Sequence, residues 1–199
     1  MKLYALKERY FTIEFQCTRC GSQRILFTYV VENSRVIKIG QYPSISDLEK
    51  KAIQKYEKLL GKEKTSEFNI AIRLFANGLG IASFVYLRRI FEYVIDTYHD
   101  EAKKTSDWDE KKYCESRTKE KFKLLKIYLP QFLFENRNIY PVLSKGIHEL
   151  TEDDCLNYFD PLKTIIELIL DQIIAEKEKI EKEKDARNAL SKIIGEIKK

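Results

Sequence analysis

Gly78–Ala102, GLGIASFVYLRRIFEYVIDTYHDEA, and Asn136–Leu150, NRNIYPVLSKGIHEL, are the two stretches on which the fold turns. In the first, Ile81, Phe84, Val85, Phe91, Ile95 and Tyr98 recur at spacings of three and four, the period of an amphipathic helix. At about 100° per residue, Arg88, Glu92 and His99 fall on the same face. Polar groups aimed at a core cost free energy unless they are bonded. Arg88 and Glu92, one turn apart, are therefore expected to be largely buried and bonded to each other or to Ser144–His148. The second stretch carries the only other histidine, His148, beside Ser144 and Lys145.

Outward from these helices the chain reads as mainly α. Glycine and proline number only 7 and 4 in 199 residues, which leaves few helix breakers. Residues 1–43 are the exception. From Leu3 to Pro43, YFTIEFQC alternates, RILFTYVVEN is rich in β-branched and aromatic residues, and NS leads into RVIKIG, so a three-stranded meander is predicted. A helix is expected from Ser44 or Ser46 to a C-cap at Gly61, and another closing at Asn77-Gly78. A long polar helix is expected from a cap at Asp107 to Pro130, then one from Tyr140 to Leu150 with Pro141 in its first turn. Asp160-Pro161 reads as the start of the last long helix. The organisation is a small β module at 1–43, a helical bundle at 44–175 and a charged helical tail at 176–199. In the tail Leu190, Ile193 and Ile197 form a short apolar seam, suited to docking on a partner or a second copy; a frayed polar end is the alternative.

Composition narrows the classes. No apolar run is long enough to cross a membrane, and MKLYALKERYFTIEF lacks a signal peptide's apolar region, so the cytoplasm is the expected compartment. The net charge of +5 permits nucleic acid without arguing for it, because 31 acidic residues are interleaved with 36 basic ones. Phosphate loops, Gly-x-Ser-x-Gly elbows and His-Glu-x-x-His helices are absent from the sequence. Cys17-Thr-Arg-Cys20-Gly21 resembles half of a zinc knuckle, two thiols at a spacing that grips one side of a tetrahedral metal. No second pair follows. A metal-free turn is the leading expectation, with zinc at Cys17 and Cys20, or a site shared across a dimer, as the alternatives.

The helix bearing YLRRIFEYVI, followed by LSKGIHEL, resembles the HEPN superfamily, in particular a bacterial branch with a Leu-Arg-Arg-x-x-Glu helix and a later glycine–histidine motif, here Gly146 and His148. The resemblance spans about Ser44 to Ala175 and implies a helical bundle that often dimerises and sits in restriction, toxin or anti-phage loci. Active HEPN ribonucleases carry Arg-x(4–6)-His, whose arginine and histidine act on the 2′-hydroxyl and scissile phosphate of RNA. That motif is unmatched: Arg137 precedes His148, and Arg88 precedes His99, by eleven positions, about 16 Å along a helix. Pro141 also argues against a continuous helix between Arg137 and His148. The expectation is a non-catalytic HEPN-like interaction and dimerisation module, an accessory of a bacterial defence or restriction system, with a homo-oligomer or a partner protein as its company. The first alternative is a metal-independent ribonuclease or RNA-binding toxin. His148, Lys145 and Arg88 are its candidate catalytic residues, with Arg88–Glu92 as a structural pair if it is not one. A zinc-dependent nucleic-acid adaptor is the second, with Arg19, Arg24, Arg35 and Lys38 around Phe27 and Tyr29.

Overall fold

The structure, a computed structural model, describes residues 9–197; the expected start of the β region at Leu3 lies outside them. The chain divides into two compact units, one ending at Lys55 and one beginning at Tyr56.

In the first unit, β1 (Arg9–Gln16), β2 (Arg24–Glu32) and β3 (Arg35–Tyr42) form an antiparallel meander in the order β1-β2-β3. Phe11 pairs with Tyr29 and Ile13 with Phe27, so their side chains share a face. The Phe11 and Tyr29 rings stack at 5.2 Å. The β2–β3 turn is made by Asn33 and Ser34 at φ 47° and 59°, the left-handed pair that a two-residue hairpin needs. Ser44 then caps α1 (Ile45–Gln54) in a capping box with Asp47.

α1 does not run on to Gly61. It stops at Gln54, and α2 (Glu57–Ala76) contains Gly61 as a kink at φ +74°. The backbone leaves the helical region at Gly61, φ +74° and ψ 168°, so the glycine parts two helical segments there, as expected of it.

The second unit is a helical bundle built on α3 (Gly80–Ala102), which packs against α2, α7 (Ile139–His148) and α8 (Glu152–Ile197). Its buried stripe centres on Leu87, Ile90, Phe91, Val94 and Tyr98, rotated from the expected one. A helix so widely apolar does not reveal its inward direction by periodicity alone. Arg88 and Glu92 consequently lie at the edge of the stripe, with side chains 25% and 37% exposed; the expectation of a largely buried pair is corrected. Gly146 of α7 lies against Phe84 so closely that a Cβ there would come within 2.1 Å of Cδ1 of the ring.

Two further expectations are corrected. The polar segment before Pro130 is not one helix but α4 (Glu110–Glu115) and α5 (Thr118–Leu124), separated by extended backbone at Ser116. Asp109, not Asp107, is the cap, accepting from the Lys112 N–H at 2.9 Å. A short α6 (Gln131–Glu135) follows. Pro161 does not restart the chain: α8, 46 residues in all, begins at Glu152 and runs through it. Proline forfeits one backbone bond. Here Cys155, Phe159, Leu162, Ile166, Ile169, Leu170 and Ile173 are buried on both sides of it, so packing outweighs that loss. The buried stripe ends at Ile173, and beyond it Ile180, Leu190, Ile193 and Ile194 are exposed. Among the described residues, no helix is long and apolar enough to cross a membrane. The fold is thus mainly α: a helical bundle, a small N-terminal antiparallel sheet and a long charged C-terminal helix.

Candidate functional site

Pro141, Ser144 and His148 succeed one another on one face of α7 at spacings of three and four, and Arg137 lies in the turn just before the helix. That face opens on a cleft of about 500 Å³ lined by Arg137, Tyr140, Ser144, Lys145, His148 and Glu149, with Lys119 and Phe122 across from them. Pro141 is accommodated in the first turn of α7, where its missing N–H costs little. Arg137 and His148 therefore line one cleft after all. Three cationic side chains and an imidazole face a single carboxylate, Glu149, whose Oε2 lies 3.5 Å from Nζ of Lys145. Phe122 and Tyr140 give the cleft an apolar wall. Such a lining suits an anion attached to something flat and partly apolar.

The candidate trio is not assembled. Lys145 and His148 line the cleft, but Arg88 does not. Its Nε donates to Glu92 Oε1 at 2.8 Å, and its Nη2 donates to the Tyr140 hydroxyl at 3.1 Å. Tyr140 in turn donates to Glu92 Oε1 at 3.1 Å. The hydrogen bond to Glu92 raises the Arg88 pKa, and burial, aided by Glu92, raises that of Tyr140. Glu92 faces a neighbouring cavity of about 200 Å³, which shares Thr118, Phe122 and Tyr140 with the cleft. Tyr140 thus belongs both to the bonded triad with Arg88 and Glu92 and to the lining of the cleft. Sequence reasoning missed it, as it missed Lys119; the helical phase of α7 could have found Tyr140, but Lys119 lies on α5 and leaves no local signal.

His99 is engaged elsewhere. It stacks on Tyr113 at 3.8 Å between ring centroids, and its Nε2 lies 2.9 Å from Glu110 Oε2. Trp108 Nε1 donates to the same oxygen at 2.8 Å. Hydrogen bonds from Trp108 first, and then from His99, draw the Glu110 carboxyl down to about 2. The buried acid of this bundle is Glu67, also unforeseen: its side chain is 9% exposed and its Oε1 lies 2.6 Å from Arg89 and 3.0 Å from Lys64.

In the β unit, Cys17 and Cys20 sit in the β1–β2 turn, Cys20 exposed. Bonds from the Ser22 hydroxyl, from the Ser22 and Gln23 backbone and from Cys17 lower the Cys20 thiol to about 6. Among the described residues, no group of three or more His, Cys, Asp or Glu side chains is placed to hold a metal ion. Compared with known proteins, the chain matches no family model, no curated protein and no solved structure.

Proposed function

We propose that this chain is an HEPN-like interaction module that binds without cutting, an accessory protein of a bacterial defence or restriction system acting as a homodimer, with single-stranded RNA as the ligand for its α7 cleft. The observation that carries binding over cleavage is the engagement of Arg88 by Glu92 and Tyr140. It leaves the cleft with cations to hold phosphate and rings to stack bases, but without the arginine of the candidate catalytic trio. The exposed apolar residues of α8 support association with a second copy.

Fluorescence anisotropy with labelled single-stranded RNA tests this reading. Micromolar binding that weakens with salt is expected. Arg137→Ala and Lys145→Ala should each weaken it by about tenfold, and the RNA should stay intact in EDTA. Absence of binding would overturn the proposal. The second reading, a metal-independent ribonuclease, is favoured by Lys145 and His148 lining one cleft, since imidazole is the natural acid and base near neutral pH. Cleavage in EDTA by the wild type and not by His148→Ala would establish it instead.

A further inference from the structure

The stripe that α8 buries in the bundle does not stop where the bundle does. Phe159, Leu162, Ile166, Ile169 and Ile173 are all buried. They step along the helix by three and four, the heptad pattern of helices that wind on one another. The same steps continue unbroken through Glu176 to Ile180, Glu183, Arg187, Leu190 and Ile194. Every residue from 175 to 194 is exposed, so this part of the stripe stands clear of the bundle for about 30 Å. Because α8 is one helix from Glu152 to Ile197, the arm cannot fold back to cover its own stripe.

The order of residues on the stripe points to the occupant. Ile180, Glu183, Arg187 and Leu190 read apolar, acid, base, apolar, and they are disposed symmetrically about Asp185. A second copy lying antiparallel, with a two-fold axis at Asp185, would set Ile180 on Leu190 of the second copy and Glu183 on Arg187 of the second copy, each twice over. Ile194 would then lie on the aliphatic stem of Glu176. Lys184 flanks the centre from both copies, on a stem long enough to reach water. Within one chain Arg187 Nη2 is 4.0 Å from Glu183 Oε2, and the two side chains are 83% and 51% exposed, so both are open to a neighbour. A parallel copy would instead set Glu183 on Glu183 and Arg187 on Arg187, like charges in two successive layers, which opposes that pairing.

We propose that α8 pairs with α8 of a second copy, antiparallel and centred on Asp185, through Ile180, Leu190 and two crossed ion pairs between Glu183 and Arg187. This rests on the homodimer of the proposed function and gives it an interface and an orientation; the α7 cleft takes no part in it.

The experiment uses the full chain. Light scattering should give the mass of two chains at about 100 μM and fall towards one on dilution. Ile180→Glu with Leu190→Glu should give one chain throughout. Chains with Glu183→Arg and chains with Arg187→Glu should each dimerise about tenfold more weakly alone, and recover when mixed. Orientation is read by disulfide trapping, in a chain with Cys17→Ser, Cys20→Ser and Cys114→Ser that also carries Ile180→Cys or Leu190→Cys. A mixture of the two kinds should crosslink on mild oxidation, and neither kind should crosslink alone. A wild type that is one chain throughout, no recovery on mixing, or no crosslink in the mixture would each overturn the proposal, as would crosslinking of either kind alone. A dimer that survives Ile180→Glu with Leu190→Glu would overturn this pairing while keeping the homodimer. A dimer that behaves as expected but binds no RNA would overturn only the reading of the cleft.

Discussion

Arg88 and Arg89 are neighbours with opposite circumstances. Arg88 bonds to Glu92 on the rim of the bundle, whereas Arg89 reaches across to Glu67, an acid removed from solvent. The loss of Glu67 leaves Lys64 without its main partner in a largely buried place, so Glu67→Ala should cost about 2–3 kcal/mol. This is below the full figure for a broken buried pair because Arg89 can turn to water. Glu92→Ala, at a third exposed, should cost only about 1 kcal/mol. Urea denaturation of the two variants checks the order; a larger loss at Glu92 would contradict the geometry. Glu110 gives a pH dependence. Its carboxyl is depressed in the folded chain, so its contribution is complete above its ordinary value near 4.5 and is lost as pH falls towards about 2. Melting temperature should therefore fall over that range, and less steeply in Glu110→Gln. At this scale the sequence showed that Arg88, Glu92 and His99 need partners, and each has them. The pairing of Arg88 with Glu92 was legible from their spacing of four; Tyr140 and Glu110 were not, because packing brings them into place, and a partner 48 positions away on another helix leaves no trace in local spacing.

Helices with a strong inner stripe were legible, and those punctuated by weak signals were not. The limits of α3 and the end of α2 follow from apolar period and from Asn77-Gly78. The division of α4 from α5 at Ser116 and the passage of α8 through Pro161 do not; at Pro161, buried residues on both sides carry the helix past a breaker. Gly146 shows the reverse, a residue whose meaning emerges only from packing. Its missing Cβ is what lets α7 lie on Phe84 of α3. Gly146→Ala should therefore destabilise the bundle by about 1–3 kcal/mol, overpacking exceeding the gain in helix propensity, and thermal melting is the check. An unchanged or raised melting temperature would mean that Phe84 turns aside without loss. Because Gly146 lies two positions from His148, the same change should also disturb RNA binding in the cleft.

For the whole molecule, the division of labour in α8 sets the expectation. From Cys155 to Ile173 it supplies a wall of the bundle, and Ile180, Leu190, Ile193 and Ile194 beyond it are exposed. Removing residues 176–199 should leave the melting temperature within about 2 °C of the parent. A dimer formed through the exposed stripe should fall to half its mass. Light scattering and calorimetry on the one truncated chain measure both, and a large drop in melting temperature would show that the tail covers part of the bundle. The coarse plan, a small sheet and then a bundle and a charged helix, was readable because it rests on period and composition. The cleft was not, since it is made by α5 and α7, whose side chains meet only once α3 has set their places.

The continuity of α8 through Pro161 has a mechanical consequence. A single helix transmits rotation as well as length: each residue added within it turns everything beyond by about 100° and advances it by about 1.5 Å. The apolar residues at Leu190, Ile193 and Ile194 are therefore held in angular phase with Phe159 and Leu162, which are fixed in the bundle. Inserting seven residues after Ala175 would lengthen the arm by about 10 Å and restore its heading to within about 20°, whereas inserting two would swing the same residues to the far side. The tail works as a keyed shaft, aimed by the core from which it grows.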